Sequence, residues 1–276
     1  MLSIITPVYN GEAFIEKCIH AVLEQHCDDL EHIIIDGGSK DQTAEVIRRY
    51  ADQHPSIRWV SEKDRGQSDA MNKGIQMAKG EVLGILNVDD FYEPNTLNRV
   101  VEIFQDLPEP SFVTGNCNLW NDAGEIFEVN KPKDLNFLNL VSWTSPIPYN
   151  PSAYFYHKCL HDAIGLYEID EHYAMDLDFI LKAVQVANLV YVDEMWGNYR
   201  QIEGTKTVSS GQADQAKQHR IRVLEKHRQS LPLIQQWQAA FGVSVIYKFR
   251  YFSSHPQDIL PVLQSRLFRG IESKFQ

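Results

Sequence analysis

Strand-length apolar runs and helical spacings alternate along the first third of the chain. Leu2 to Thr6 reads as a strand, and Ala13 to Gln25 places Phe14, Cys18, Ile19 and Val22 at helical spacing. Glu31 to Ile35 is a second strand of the continuous buried type, ended by Asp36-Gly37-Gly38. Ser39, with Gln42 three residues on, reads as the cap of the helix that follows. Ile57 to Val60 is a third strand, Gln67 to Ala78 a helix closed by Gly80, and Val82 to Leu86 a fourth strand; Pro94-Asn95-Thr96 opens another helix. This βαβαβαβ order predicts an α/β protein with a mostly parallel sheet covered on both faces.

Beyond Gly115 the rhythm changes. Ser111 to Thr114 and Ile126 to Val129 flank the turn signal Asn121-Asp122-Ala123-Gly124, which predicts an antiparallel hairpin. Ser152 to Tyr156, Leu189 to Val192 and Trp196 to Tyr199 are further short strands around a helix from about Asp176 to Ala187. Gly204 to Gly211 is polar and reads as a linker, so the expected organisation is a domain over 1-205 and a helical C-terminal region over 206-276. Within that region Ala213 to Arg228 is an amphipathic, charged helix. Phe241 to Gln276 holds five Lys/Arg against two acids, among many aromatics. Two readings of this last stretch stand: helices packed on the domain or on a partner subunit, and peripheral contact with anionic lipid.

Composition narrows the classes. The 276 residues are 43% hydrophobic and carry a formal net charge of -11, which argues against a general nucleic-acid binder. An anionic ligand then requires a local cation. Four scattered cysteines, Cys18, Cys27, Cys117 and Cys159, form no CxxC pair and read as reduced thiols of a cytoplasmic protein. The first residues lack the basic region of a signal peptide, and no run approaches the ~18 apolar residues of a membrane span. Any membrane contact is expected at the surface, on the cytoplasmic face.

The chemistry sits at the strand ends. The fourth strand runs straight into Asn87-Val88-Asp89-Asp90, and adjacent carboxylates repel unless a cation joins them. Hard oxygen ligands suit Mg²⁺ or Mn²⁺, which keep waters and bind substrate phosphates; the competing reading is a helix start. Asp36 before two glycines reads either as a hydrogen-bond acceptor for a base or ribose or as a turn residue. Asp64-Arg65-Gly66 after the third strand reads as a pair flanking the same ligand or as a surface ion pair. In an open α/β sheet these ends line one rim, beyond which ligands bind.

Thr6-Pro7-Val8-Tyr9-Asn10, Ile35-Asp36-Gly37-Gly38-Ser39-Lys40-Asp41, Ser61 to Gly66 with Asp69 to Gly74, Leu86 to Asp90, Asn150-Pro151-Ser152 and His172 to Asp178 together resemble the family-2 glycosyltransferases of GT-A fold. The resemblance covers about three quarters of the chain. It implies a Rossmann-like, mostly parallel sheet with a small antiparallel acceptor-side part. It also implies inverting, metal-dependent transfer of a sugar from a nucleotide donor, a UDP-sugar by preference, to a saccharide or lipid-linked acceptor. By position, Pro7, Tyr9, Asp36, Asp64 and Arg65 would hold the nucleotide, and Asn87 and Asp89 the ends of a DxD-like motif with Asp89 the main metal ligand. Asp90 would face the sugar or the metal's waters, Arg200 and Lys206 the diphosphate, and Asp176 would be the general base. Two departures stand out: Asn87 replaces an acid, and Ile202 stands where many relatives carry a His. They motivate one rival, a nucleotide-sugar binding protein with degraded catalysis. A sugar-phosphate nucleotidyltransferase should show a Gly-rich basic first loop, which Pro7 to Gly11 is not. A dinucleotide oxidoreductase should show GxGxxG, which is absent.

Overall fold

The computed structural model describes residues 1–201 and 212–239. The alternating pattern gives β1 (Leu2–Val8), α1 (Ile15–Leu23), β2 (Leu30–Asp36), α2 (Thr43–Ala51), β3 (Ile57–Ser61), α3 (Gln67–Met77) and β4 (Val82–Ile85). A two-residue β5 (Phe91–Tyr92), α4 (Thr96–Phe104), and the antiparallel hairpin of β6 (Ser111–Trp120) and β7 (Ile126–Asn130) follow. Then come α5 (Phe137–Val141), β8 (Tyr154–His157), α6 (Leu160–Ile164), α7 (Met175–Ala183), β9 (Asn188–Arg200) and α8 (Gln212–Gln229).

The strands form one sheet in the order β3-β2-β1-β4-β8-β6-β9-β5, with β7 paired to β6. β3, β2, β1 and β4 are mutually parallel, as are β6 and β9, while β8 and β5 run antiparallel to their neighbours. Alternation along β2 sorts its isoleucines between two cores, since successive strand residues point to opposite faces. Ile33 and Ile35 pack with Met71 and Ile75 of α3 and with Phe179 of α7. Ile34 packs with Ile15 and Ile19 of α1 and Ile47 of α2.

This topology brings the strand-end residues singled out in the sequence to one rim. The carboxyl ends of β1, β2, β3, β4 and β9 emerge there, and because β8 runs the other way, its start and the preceding turn Pro151–Ala153 arrive at the same edge.

Two local expectations are corrected. Ser39 does not cap α2, which begins only at Thr43; instead the Asp36 carboxylate takes both the Ser39 amide and its hydroxyl, folding the chain into a tight turn. The two short strands expected over 189–199 are one continuous strand. The polar step at Asp193 does not break it, because Asn116, Lys131 and Tyr191 all bond to the Asp193 carboxylate. Trp196 then packs its ring where a side chain at position 115 would stand, so Gly115 is required and β6 shifts register around it.

Candidate active site

A cleft of about 530 Å³ opens at the carboxyl ends of β1, β3 and β4. Pro7, Tyr9, Asp64, Gln67, Asn87 and Asp89 are among its lining. Pro7 is buried at the end of β1, and Tyr9, 59% exposed, stands at the mouth with a large flat face. Asp64 accepts from the Gly66 amide at 2.9 Å, and its other oxygen lies 2.5 Å from where a Cβ on Gly37 would be. A side chain at position 37 would displace the Asp64 carboxylate from this place. Asp36 itself is fully buried; Ser61 Oγ donates to it at 2.5 Å, in addition to Ser39, so it braces the cleft floor from beneath.

The acidic corner is built around Asp90. Its buried carboxylate accepts from Asn87 Nδ2 at 2.9 Å, Asn150 Nδ2 at 2.7 Å and the Arg200 amide at 3.3 Å. Burial and the adjacent Asp89 charge both raise its proton affinity, against the pull of those donors. Burial also raises Asp89, while the Arg200 guanidinium draws it down. A desolvated carboxylate of this kind gains from a neighbouring cation. No group of three or more His, Cys, Asp or Glu side chains suited to a metal occurs among the described residues. The donor set thus fits a hard divalent ion that borrows ligands from phosphate and water, and does not fit an all-protein cage.

Asn87 explains its own neutrality. Its carbonyl oxygen accepts from Gln67 Nε2 at 3.0 Å while its amide donates to Asp90, so both ends of the group are used. An acid here would lose the donation to Asp90 and bring a third carboxylate to the corner.

A second cleft of about 620 Å³ adjoins the first, and Gln67, Asn87 and Tyr199 line both. Asp176 lies in this second cleft, half-buried near the start of α7, with Tyr154 Oη donating to it at 3.4 Å. Just ahead of α7, Glu171 accepts from the Tyr173 and Ala174 amides at 3.1 and 3.0 Å and shapes the turn that leads into the helix. Burial pushes Glu171 up, but bonds from Arg222, His219 and the two amides prevail and hold it down at about 2.

Asp36 and Asp90 brace the site from within. Arg65 turns to Asp69 at 3.1 Å and lines a neighbouring surface cleft rather than either of these two. The Arg200 guanidinium stacks 4.7 Å from the Phe91 ring centroid. His172 is exposed and lines the second cleft. Lys206, Ile202 and the stretch 241–276 lie outside the described residues. Gln67, Asn150 and Tyr199 went unassigned in the sequence because amides and a tyrosine carry no spacing signature. The available signals were the position of Gln67, just after Asp64-Arg65-Gly66, and the place of Asn150 in the Asn150-Pro151-Ser152 segment of the family resemblance.

Comparison with known proteins agrees with this geometry. Residues 3–158 match the family model for glycosyl transferase family 2. Chondroitin synthase of Escherichia coli is 33% identical over 120 residues, 43% of this chain and 18% of that protein. The chain spans only 18% to 36% of the curated relatives it matches first. S. aureus TarS 1-349 in complex with UDP-GlcNAc superposes with a TM-score of 0.67 at 17% identity, over 91% of this chain and 72% of that one. The mannosyltransferase PcManGT from Pyrobaculum calidifontis, in complex with GDP-Man and Mn²⁺, does so with a TM-score of 0.57 at 18% identity, over 92% of this chain and 83% of that one. The rim of strand ends, the acidic corner and the family match together identify the chain as a member of glycosyl transferase family 2 with a GT-A fold.

Proposed function

We propose that this protein is a metal-dependent, inverting glycosyltransferase that moves a sugar from a nucleotide-diphosphate donor, a UDP-sugar by preference, to a hydroxyl of a saccharide or lipid-linked acceptor in polysaccharide or glycolipid assembly. The observation that carries this reading is the pair of adjoining clefts, one lined by Asp64 and Asp89, the other by Asp176. A displacement at an anomeric carbon needs negative charge stabilised on the leaving side and a base on the incoming side.

In this reading Pro7, Tyr9 and Asp64 hold the nucleotide over the floor braced by Asp36. Asp89 would hold Mg²⁺ or Mn²⁺, which when bound would supply Lewis-acid stabilisation of a departing diphosphate. Asp90, fixed by three donors, sets the position of Asp89 and of the backbone at Arg200. Arg200 and Lys206 add positive charge on the diphosphate side. Asp176 accepts the proton of the attacking hydroxyl, and one base without a covalent nucleophile corresponds to a single displacement with inversion. The division into a catalytic domain over 1-205 and a helical region over 206-276 belongs to the same reading, with α8 supplying part of the acceptor wall. Among the described residues no helix is long and apolar enough to cross a membrane. Any membrane contact, on the cytoplasmic face, is assigned to the C-terminal region.

The test is a thermal-shift panel of UDP-, GDP- and dTDP-sugars with and without Mn²⁺. A metal-dependent shift with one nucleotide class is expected, and no shift with any of them defeats the reading. Asp176→Asn should keep the donor-induced shift and lose transfer by about 10²-fold or more; loss of donor affinity instead would reassign the residue.

A further inference from the structure

The acceptor-side cleft contains one Lys or Arg among its described lining residues, Arg220. It stands on α8, one turn after Ala216, which lines the same cleft. Other basic groups of α8 are committed elsewhere: His219 and Arg222 bond to Glu171, each at 2.6 Å, and Lys226 and His227 to Asp178 at 3.1 and 2.9 Å. Arg220 has no hydrogen-bond or ion-pair partner among the described residues, and its Nε is buried without one. A guanidinium donor shut away from water and left unmatched costs free energy that a bound acceptor group would recover.

We propose that Arg220 recognises an anionic group, a carboxylate or a phosphate, on the acceptor. This rests on the reading of the second cleft as the acceptor site and names the substrate class it takes. The remaining charges strengthen the argument. Glu128 and Asp176 line the same cleft, so among its described charged side chains Arg220 is the one that attracts an anion while the two carboxylates repel it. The acceptor's charge then fixes its register, and with it which hydroxyl reaches Asp176. Trp143 and Tyr149, also in the lining, offer apolar faces to a sugar ring.

The experiment uses the full chain saturated with UDP and titrated, by NMR or calorimetry, with a methyl hexuronide, the matching neutral methyl hexoside and glycerol 1-phosphate. One of the two anionic probes should bind at least about five-fold more tightly than the neutral glycoside, and which one does separates carboxylate from phosphate. Arg220→Gln should erase the preference, and Arg220→Lys should retain part of it. Equal binding of all three probes, no response to any, or a preference that survives Arg220→Gln overturns the proposal. The wild-type comparison decides even where a variant fails to fold. Failure of UDP itself to bind is a separate result, which counts against the glycosyltransferase reading and not against Arg220 alone.

Discussion

Asn87 is the position where residue identity and site design meet most closely. Its amide joins Gln67 to Asp90, and replacing it by Asp exchanges a donor for a like charge. Asn87→Asp is expected to lower stability by about 1–3 kcal/mol without divalent ions, with part of the loss restored by Mn²⁺. Thermal unfolding in chelator and in Mn²⁺ measures both arms. His32 makes a different kind of residue-scale statement. It is buried between strands, bonded to Thr6 Oγ1 at 2.9 Å, and burial pushes its pKa down from 6.5 to about 3. Between those values the unfolded chain binds more protons than the folded one, so stability falls as pH drops from about 6.5 toward 3, by up to ~4 kcal/mol. Urea midpoints at a series of pH values should show a flatter acid limb for His32→Gln than for the parent.

Among the elements, α8 is held to α7 by charge as well as by apolar packing. Asp178, 4% exposed, takes Lys182 at 2.7 Å, Lys226 at 3.1 Å and His227 at 2.9 Å; burial opposes its ionisation, but these partners hold it well below the usual carboxylate range. Asp178→Asn leaves two lysines and a buried histidine without their anion and should cost about 2–4 kcal/mol. It should also expose α8 to limited proteolysis before the rest of the chain. Glu171, likewise depressed, adds docking stability that is fully present above its ordinary value near 4.5 and is lost as pH falls through about 2. None of these pairings was legible in the sequence, where the resemblance singled out Asp176 and nothing marked Asp178 as the anchor of α8. Glu171, five residues before Asp176, shapes the turn ahead of the helix and ties it to His219 and Arg222, outside the local spacing rules. Where burial alone decides, as in the runs over β1, β2 and β4, the elements were legible. Where a distant partner decides, as with Asp193 keeping β9 whole or Asp36 drawing Ser39 from its cap, they were not.

At the scale of the molecule, the parallel half of the sheet was readable from the alternation of strands and helices. So was the gathering of Asp36, Asp64 and the Asn87-Asp90 step at one rim, because parallel strands bring like ends together. The contribution of the reversed strand was not. β8 runs against β4, and only that reversal returns Asn150 to the rim, 60 positions along the chain from the Asp90 it bonds. The adjoining of the two clefts likewise depends on how α7 and α8 close over the sheet, which no local pattern encodes.

Gln67, Asn87 and Tyr199 form the wall common to both clefts, and this sets how the protein can be re-engineered. On the proposed reading, residues on one side only, such as Tyr9 and Asp64 or Trp143 and Arg220, would be the ones to vary to change one binding partner while leaving the other alone. The shared three would not. On that reading any change there would be felt by both partners at once, which makes that wall the point where donor and acceptor selectivity cease to be independent modules.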